Sequence, residues 1–88
     1  MDRVEAKWLL LRTLAEYHKH SYDQLRAMIG DSRQIECRGR SGIEYQLEID
    51  FFWDSEPDGD VRVMASIDDG RWRAFCPLGY GFLRSPTS

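Results

Sequence analysis

The sequence predicts an α+β domain in which two N-terminal helices pack on one face of a four-stranded antiparallel β-meander, a two-layer ααββββ arrangement. Three observations predict this class. Apolar residues recur at helical spacing in the first third of the chain, apolar and polar residues alternate further on, and turn-forming residues separate the alternating runs. Because 88 residues suffice for one hydrophobic core, we expect residues 1–88 to form a single domain.

The first helix is predicted over residues 3–18. Its apolar and aromatic residues fall on one broad arc, which we expect to face the sheet. This arc contains Val4, Trp8, Leu10, Leu11, Leu14, Ala15, Tyr17 and His18. A second helix is predicted over residues 22–29, because Ser21 and Gln24 fit a capping box and Gly30 is a typical helix terminator.

Four strands are predicted, over residues 34–39, 43–54, 61–68 and 72–76. The second run alternates apolar and polar residues along its whole length, which indicates a strand with one buried face. Asp69-Gly70 is typical of a two-residue hairpin turn between the last two strands. Residues 79–88 are predicted to form a tail.

One strand register places apolar residues opposite apolar residues on the same face throughout. A shift by one residue would destroy this agreement, so the register is a strong expectation. The predicted pairs are Ile35–Leu47, Cys37–Tyr45, Ile49–Ala65, Phe51–Val63, Trp53–Val61, Ile67–Trp72, Ala65–Ala74 and Val63–Cys76.

Charge and cysteine content restrict the class of protein. Twelve basic and fifteen acidic residues give a net charge of −3, which disfavours a nucleic-acid partner because dedicated nucleic-acid binders are usually basic. No apolar run reaches the ~20 residues that a membrane helix needs, so no membrane partner is expected. Two cysteines, far apart and without a signal sequence before them, predict reduced thiols in a cytoplasmic protein.

No catalytic constellation and no cofactor motif is visible, so we expect neither an enzyme nor a bound cofactor or metal. His18 and His20 lie two residues apart at a helix end, where side chains project in different directions. The acidic turn 54–60 resembles the first half of a calcium loop. However, Ala65 stands at the twelfth position, where the loop needs a bidentate glutamate.

The predicted outer face of the sheet carries the candidate partner-binding site. In the predicted register, Phe52, Met64 and Phe75 form an apolar cluster that Arg62 and Arg73 flank. An exposed apolar cluster edged by arginine is typical of a protein–protein contact. The open alternative is that the tail folds back and covers this cluster with Tyr80, Phe82 and Leu83.

Three function hypotheses follow. The leading one is a non-enzymatic protein-interaction module, which includes self-association through the outer sheet face. A second is a nucleic-acid-binding domain that uses the helix 22–29, although Arg26 is its one basic residue. A third is a small ligand-binding domain whose pocket lies between helices and sheet. The lining of that pocket would be Trp8, Tyr45, Trp53 and Trp72.

The segments YQLEI (45–49), IDDGRWRAF (67–75) and PL (77–78) resemble a pattern in a family of small uncharacterised bacterial proteins. The resemblance covers roughly residues 43–78. It implies a bacterial source and carries no activity, so no functional residue is transferred from it.

Overall fold

The computed structural model describes residues 2–69 and 78–86. In this part of the chain the sheet is antiparallel and its strands follow each other in the order β1-β2-β3-β4, which confirms the predicted α+β class and meander. The elements are α1 (Arg3–His18), α2 (Tyr22–Arg26), β1 (Ser32–Arg38), β2 (Glu44–Trp53), β3 (Val61–Asp68) and β4 (Leu78–Arg84).

Side-chain caps define where both helices begin. The carboxylate of Asp2 accepts a hydrogen bond from the Glu5 backbone N–H at 3.0 Å. In α2 the predicted capping box is present: the Gln24 N–H donates to the Ser21 hydroxyl and the Ser21 N–H donates to the Gln24 side chain. These bonds satisfy backbone N–H groups that the first helical turn leaves unpaired.

The second helix is shorter than predicted, because α2 ends at Arg26 and residues 27–30 form turns. Gly30 has a φ of 90°, in the left-handed region that glycine adopts without a steric penalty. Its N–H donates to the Phe51 carbonyl at 3.0 Å. The chain therefore turns from α2 onto the sheet earlier than the apolar spacing of 22–29 indicates.

The first three strands have the predicted register. Cys37 lies opposite Tyr45 and Phe51 lies opposite Val63, as the matching of apolar residues requires. The residues on the inner face of β2 and β3 are almost fully buried and form the centre of the core. They are Tyr45, Leu47, Ile49, Phe51, Val61, Val63, Ala65 and Ile67.

The fourth strand corrects the prediction. The predicted strand 72–76 lies outside the described residues, and β3 pairs instead with 78–84, most of which was predicted to be tail. Ile67 lies opposite Leu78 rather than Trp72. The two segments carry the same apolar alternation, so periodicity cannot choose between them. In the observed pairing, Tyr80 and Phe82 of β4 pack against the core.

The orientation of α1 also differs from the prediction. Its buried face consists of Ala6, Leu9, Leu10, Leu14 and Tyr17, which pack against β3 and β4. Only part of the predicted arc is therefore correct. The other members of that arc are exposed: Val4, Trp8, Leu11, Ala15 and His18.

Contacts at both ends of α1 explain this orientation. Near the N-terminus, the Glu5 carboxylate accepts hydrogen bonds from the backbone N–H and the hydroxyl of Ser41, which lies in the β1–β2 connection. Near the C-terminus, the Arg84 guanidinium donates to the backbone carbonyls of His18 and His20 at 2.9 and 3.2 Å. Because α1 carries apolar residues on more than one of its faces, burial of apolar surface alone would allow several rotations of the helix about its axis. The polar contacts at its two ends select one of these rotations.

We expect Gly81→Ala to destabilise the protein by about 1–3 kcal/mol, because a Cβ at Gly81 would lie 2.5 Å from the Val63 carbonyl oxygen and would overlap the Met64 sulfur. Gly79→Ala is the matched control in the same strand. A Cβ there meets the Ala65 carbonyl at an ordinary 3.5 Å, so Gly79→Ala should be neutral or slightly stabilising. Urea denaturation measures both, and equal effects would contradict the close approach of β3 to β4.

Candidate functional site

A line of exposed apolar residues runs along the outward face of α1. Val4, Trp8 and Leu11 are 81%, 54% and 44% exposed, and the exposed Ala15 continues the line. Their spacing of four, three and four residues keeps them on one face of a helix. We call these four residues the α1 stripe.

The α1 stripe points away from the core. At about 100° per residue, its centre lies roughly opposite the centre of the buried face that contains Leu10 and Tyr17. A surface helix in a folded domain normally has one apolar face and one polar face. Because α1 has two apolar faces and the sheet covers one of them, the α1 stripe has no partner within the described part of the chain.

A cleft separates α1 from the edge strand β1 and forms one flank of the stripe. Its upper part, of about 530 Å³, is lined by Trp8 and Arg12 from the helix, by Arg38 at the end of β1 and by Arg40 in the β1–β2 connection. The lower part, of about 390 Å³, continues past Arg12 to Arg33 and Ile35. The cleft thus joins the α1 stripe to a set of cationic side chains.

Arg12, Arg33 and Arg40 can bind a partner in this cleft, whereas Arg38 is already paired with Glu44. The exposed Arg12 guanidinium lies 4.7 Å from the centre of the Trp8 ring, which is a cation–π contact. Within residues 2–69 and 78–86, neither Arg12 nor Arg33 nor Arg40 forms an ion pair. An unpaired arginine beside an exposed tryptophan is typical of the residues that anchor protein interfaces.

Three acidic residues also line this cleft: Asp2, Glu5 and Glu16, of which Glu16 is paired with Lys19. Glu5 forms the contacts with the β1–β2 connection. Its carboxylate accepts hydrogen bonds from the Ser41 hydroxyl at 2.6 Å, the Ser41 N–H at 3.0 Å and the Tyr45 hydroxyl at 3.0 Å. The Ser41 bonds, with a smaller contribution from Tyr45, hold the pKa of Glu5 below its usual range against partial desolvation. These bonds fix the N-terminal end of α1 to the β1–β2 connection.

The predicted partner-binding residues lie on the outer face of the sheet, where the structure describes three of the five. Phe52 is 42% exposed, and Met64 is half-buried beside Gly81. Arg62 is also half-buried, and its Nε donates to the Asp54 carboxylate at 2.7 Å. Arg73 and Phe75 lie outside the described residues.

The alternative in which the tail covers this face is wrong for Tyr80 and Phe82. Both lie on the inner face of β4, against the core, where His18 stacks on Phe82 with ring centres 3.8 Å apart. Leu83 instead lies on the outer face opposite Arg62 and is 45% exposed. The described outer face therefore presents Phe52 and Leu83 on either side of Arg62.

The rest of the outer face is acidic. Glu48 and Asp50 lie on it as near neighbours in β2, and Asp68 lies on it in β3. The charge of Asp50 raises the pKa of Glu48, with partial desolvation, a hydrogen bond to Asp50 and the charge of Asp68 as further causes. This face therefore repels an acidic surface, whereas the cleft beside α1 attracts one.

The histidine pair at the end of α1 and the acidic turn 54–60, which were considered as metal sites, make contacts within the fold. The His20 ring nitrogen lies 3.1 Å from the Glu16 carbonyl oxygen. In the acidic turn, Asp58 forms an ion pair with Arg26 of α2, while Asp54 holds Arg62. In the two described stretches, no group of three or more His, Cys, Asp or Glu side chains is arranged to hold a metal ion.

The residues proposed to line a ligand pocket do not come together. Tyr45 is fully buried in the core, Trp8 is on the outward face of α1, and Trp53 is half-buried. Trp72 lies outside the described residues.

The helix proposed to bind nucleic acid is short, since α2 has five residues and β1 begins at Ser32. A five-residue helix is too short to place several side chains along a DNA groove.

Sequence reasoning missed the α1 stripe because it placed Trp8 and Leu11 on the same arc as Leu10 and left Leu9 out of that arc. A usable signal was present: the set containing Leu9 and Leu10 and the set containing Trp8 and Leu11 each have helical spacing. Two such sets on one helix indicate two apolar faces.

No known family model, curated protein or solved structure matches this chain. Among the described helices, none combines the length and the apolar content needed to cross a membrane.

We expect Glu5→Gln to lower stability most at neutral pH. The lowered pKa of Glu5 means that its contribution is fully present well above 4.5, its usual value, and is lost as pH falls through the folded-state pKa. Denaturation of both proteins across the acid range should show their difference shrinking toward zero. Glu16→Gln, which removes an exposed carboxylate from the same helix, controls for the loss of charge. A difference independent of pH would contradict the assigned role of the carboxylate.

Proposed function

We propose that this domain is a non-enzymatic protein-interaction module and that it binds its partner through the α1 stripe and the arginine-bearing cleft beside it. The observation that carries the proposal is the exposure of Val4, Trp8 and Leu11 on the side of α1 opposite the core. Full burial of an exposed apolar side chain of this size is worth about 1.5–3 kcal/mol, and covering Trp8 or Leu11 gains roughly half of that because each is about half exposed.

The residue types in the α1 stripe and the cleft are those typical of a protein–protein interface. Trp8 offers a large, rigid apolar area with few rotatable bonds, and tryptophan and arginine are the side chains that dominate binding energy at interfaces. Arg12 lies against this ring and Arg40 lines the same cleft. A partner surface with apolar residues and a carboxylate beside them would complement both features.

The outer face of the sheet is the second candidate surface, favoured by Phe52 and Leu83 beside Arg62. It ranks second for two reasons. Asp54 already pairs with Arg62, and the neighbouring carboxylates of Glu48 and Asp50 would repel those of a second copy stacked on the same face.

We also propose that the domain works in the cytoplasm. The support is that Cys37 is a free thiol, half-buried in β1, in a chain that has two cysteines in all. The resemblance to small bacterial proteins stays a prediction, and so does the expectation that neither nucleic acid nor a membrane is the partner.

A photoreactive amino acid placed at position 11 tests the proposed surface in the cells that produce the protein. Leu11 and Leu83 are matched leucines, 44% and 45% exposed on opposite sides of the molecule, so position 83 is the control. We expect irradiation to yield protein adducts at position 11 and far fewer at position 83. Electrophoresis followed by mass spectrometry identifies the adducts.

Adducts confined to position 83, or to position 52 in a third variant, would move the interaction to the outer sheet face. Folding of each variant is checked by circular dichroism, and both leucines are already exposed, so the substitutions leave the core intact. A lack of adducts at every position would contradict the protein-interaction function itself.

A further inference from the structure

We propose that the partner that covers the α1 stripe is a second copy of this chain, with the two α1 helices packed antiparallel about a two-fold axis. This inference rests on the proposed function, because it names the occupant of the same surface. It is carried by the spacing of the stripe and by the charges along its flank, and the area of the stripe sets how tightly the two copies bind.

The spacing of the α1 stripe is the same read from either end. The steps from Val4 to Trp8, from Trp8 to Leu11 and from Leu11 to Ala15 are four, three and four residues. A two-fold axis therefore places Trp8 of one copy opposite Leu11 of the other, and Val4 opposite Ala15. Each layer combines a larger with a smaller side chain, and an interface between identical chains must be complementary to itself in this way.

The charges beside the stripe fit the antiparallel arrangement. Glu5 and Arg12 lie on the same flank of α1, toward β1. In an antiparallel pair of helices, equivalent flanks face each other, so Glu5 of one copy lies near Arg12 of the other, and symmetry forms this pair twice. A parallel pair would instead place this flank beside the opposite flank of the second copy, so the Glu5–Arg12 pair would not form.

The available area predicts a weak and reversible dimer. A helix of 16 residues is about 24 Å long, and two such helices packed along that length bury roughly 800 Å² in total, below a standard stable interface. We therefore expect a dissociation constant on the order of 10–100 µM. Association on this scale responds to the local concentration of the protein.

Sedimentation equilibrium of the purified full chain from about 5 to about 500 µM measures the dimer. We expect the average mass to rise from 10.3 kDa toward twice that value. Leu11→Glu should weaken dimerisation at least about tenfold, because it places a carboxylate opposite Trp8 of the second copy. Leu83→Glu, an equally exposed leucine on the outer sheet face, should leave the dissociation constant unchanged.

Disulfide trapping tests the antiparallel geometry in a background in which Cys37 and Cys76 are replaced by serine. Val4→Cys and Ala15→Cys variants, one of them carrying a size tag, should form a mixed disulfide when combined and little disulfide when oxidised separately. In the antiparallel pair, equivalent residues at position 4 lie about 16 Å apart along the axis, too far for a disulfide. Disulfides within each variant alone would indicate a parallel pair and overturn the proposed geometry.

Wild-type protein that stays monomeric up to about 500 µM would overturn the proposal. So would a dimer that Leu83→Glu disrupts and Leu11→Glu does not. Self-association can fail while the proposed function stands: a monomeric wild type together with position-11 adducts to a different protein would reject the dimer and retain the interaction surface. A lack of adducts at every position would instead contradict the proposed function.

Discussion

The structure depends on the way one helix covers the apolar face of the sheet. The inner face of β2 and β3 consists of side chains that must be kept from water, and α1 is the one long helix in the described part of the chain. Hydrophobic burial brings α1 onto the sheet but does not fix its rotation about its own axis. Glu5 at one end and Arg84 at the other supply the polar contacts that do.

This fixed rotation has a functional consequence. Because Leu9, Leu10 and Leu14 occupy the core, Trp8 and Leu11 are directed to solvent. Their exposure therefore follows from the packing of the domain and does not require any strain in the helix. The same orientation places Arg12 over the cleft beside β1. The exposed apolar surface and the arginines beside it therefore both result from the way α1 packs on the sheet.

The sequence predicted those features that depend on local pattern. The register of β1, β2 and β3 follows from strict alternation, and the α2 capping box follows from Ser21 and Gln24, because both rules act over a few residues. The fourth strand was misassigned because two segments carry the same alternation. The α1 stripe was missed because the polar contacts that orient α1 join residues far apart in sequence, such as Glu5 and Ser41.

The rotation of α1 is the central claim, and the reactivity of cysteines at two adjacent positions tests it most directly. With Cys37 and Cys76 replaced by serine, Leu11→Cys and Leu10→Cys are labelled separately with a thiol reagent at low micromolar concentration. The account predicts rapid labelling at position 11 and labelling at least about tenfold slower at position 10, where reaction requires local unfolding. Rapid labelling at position 10 with protection at position 11 would contradict it.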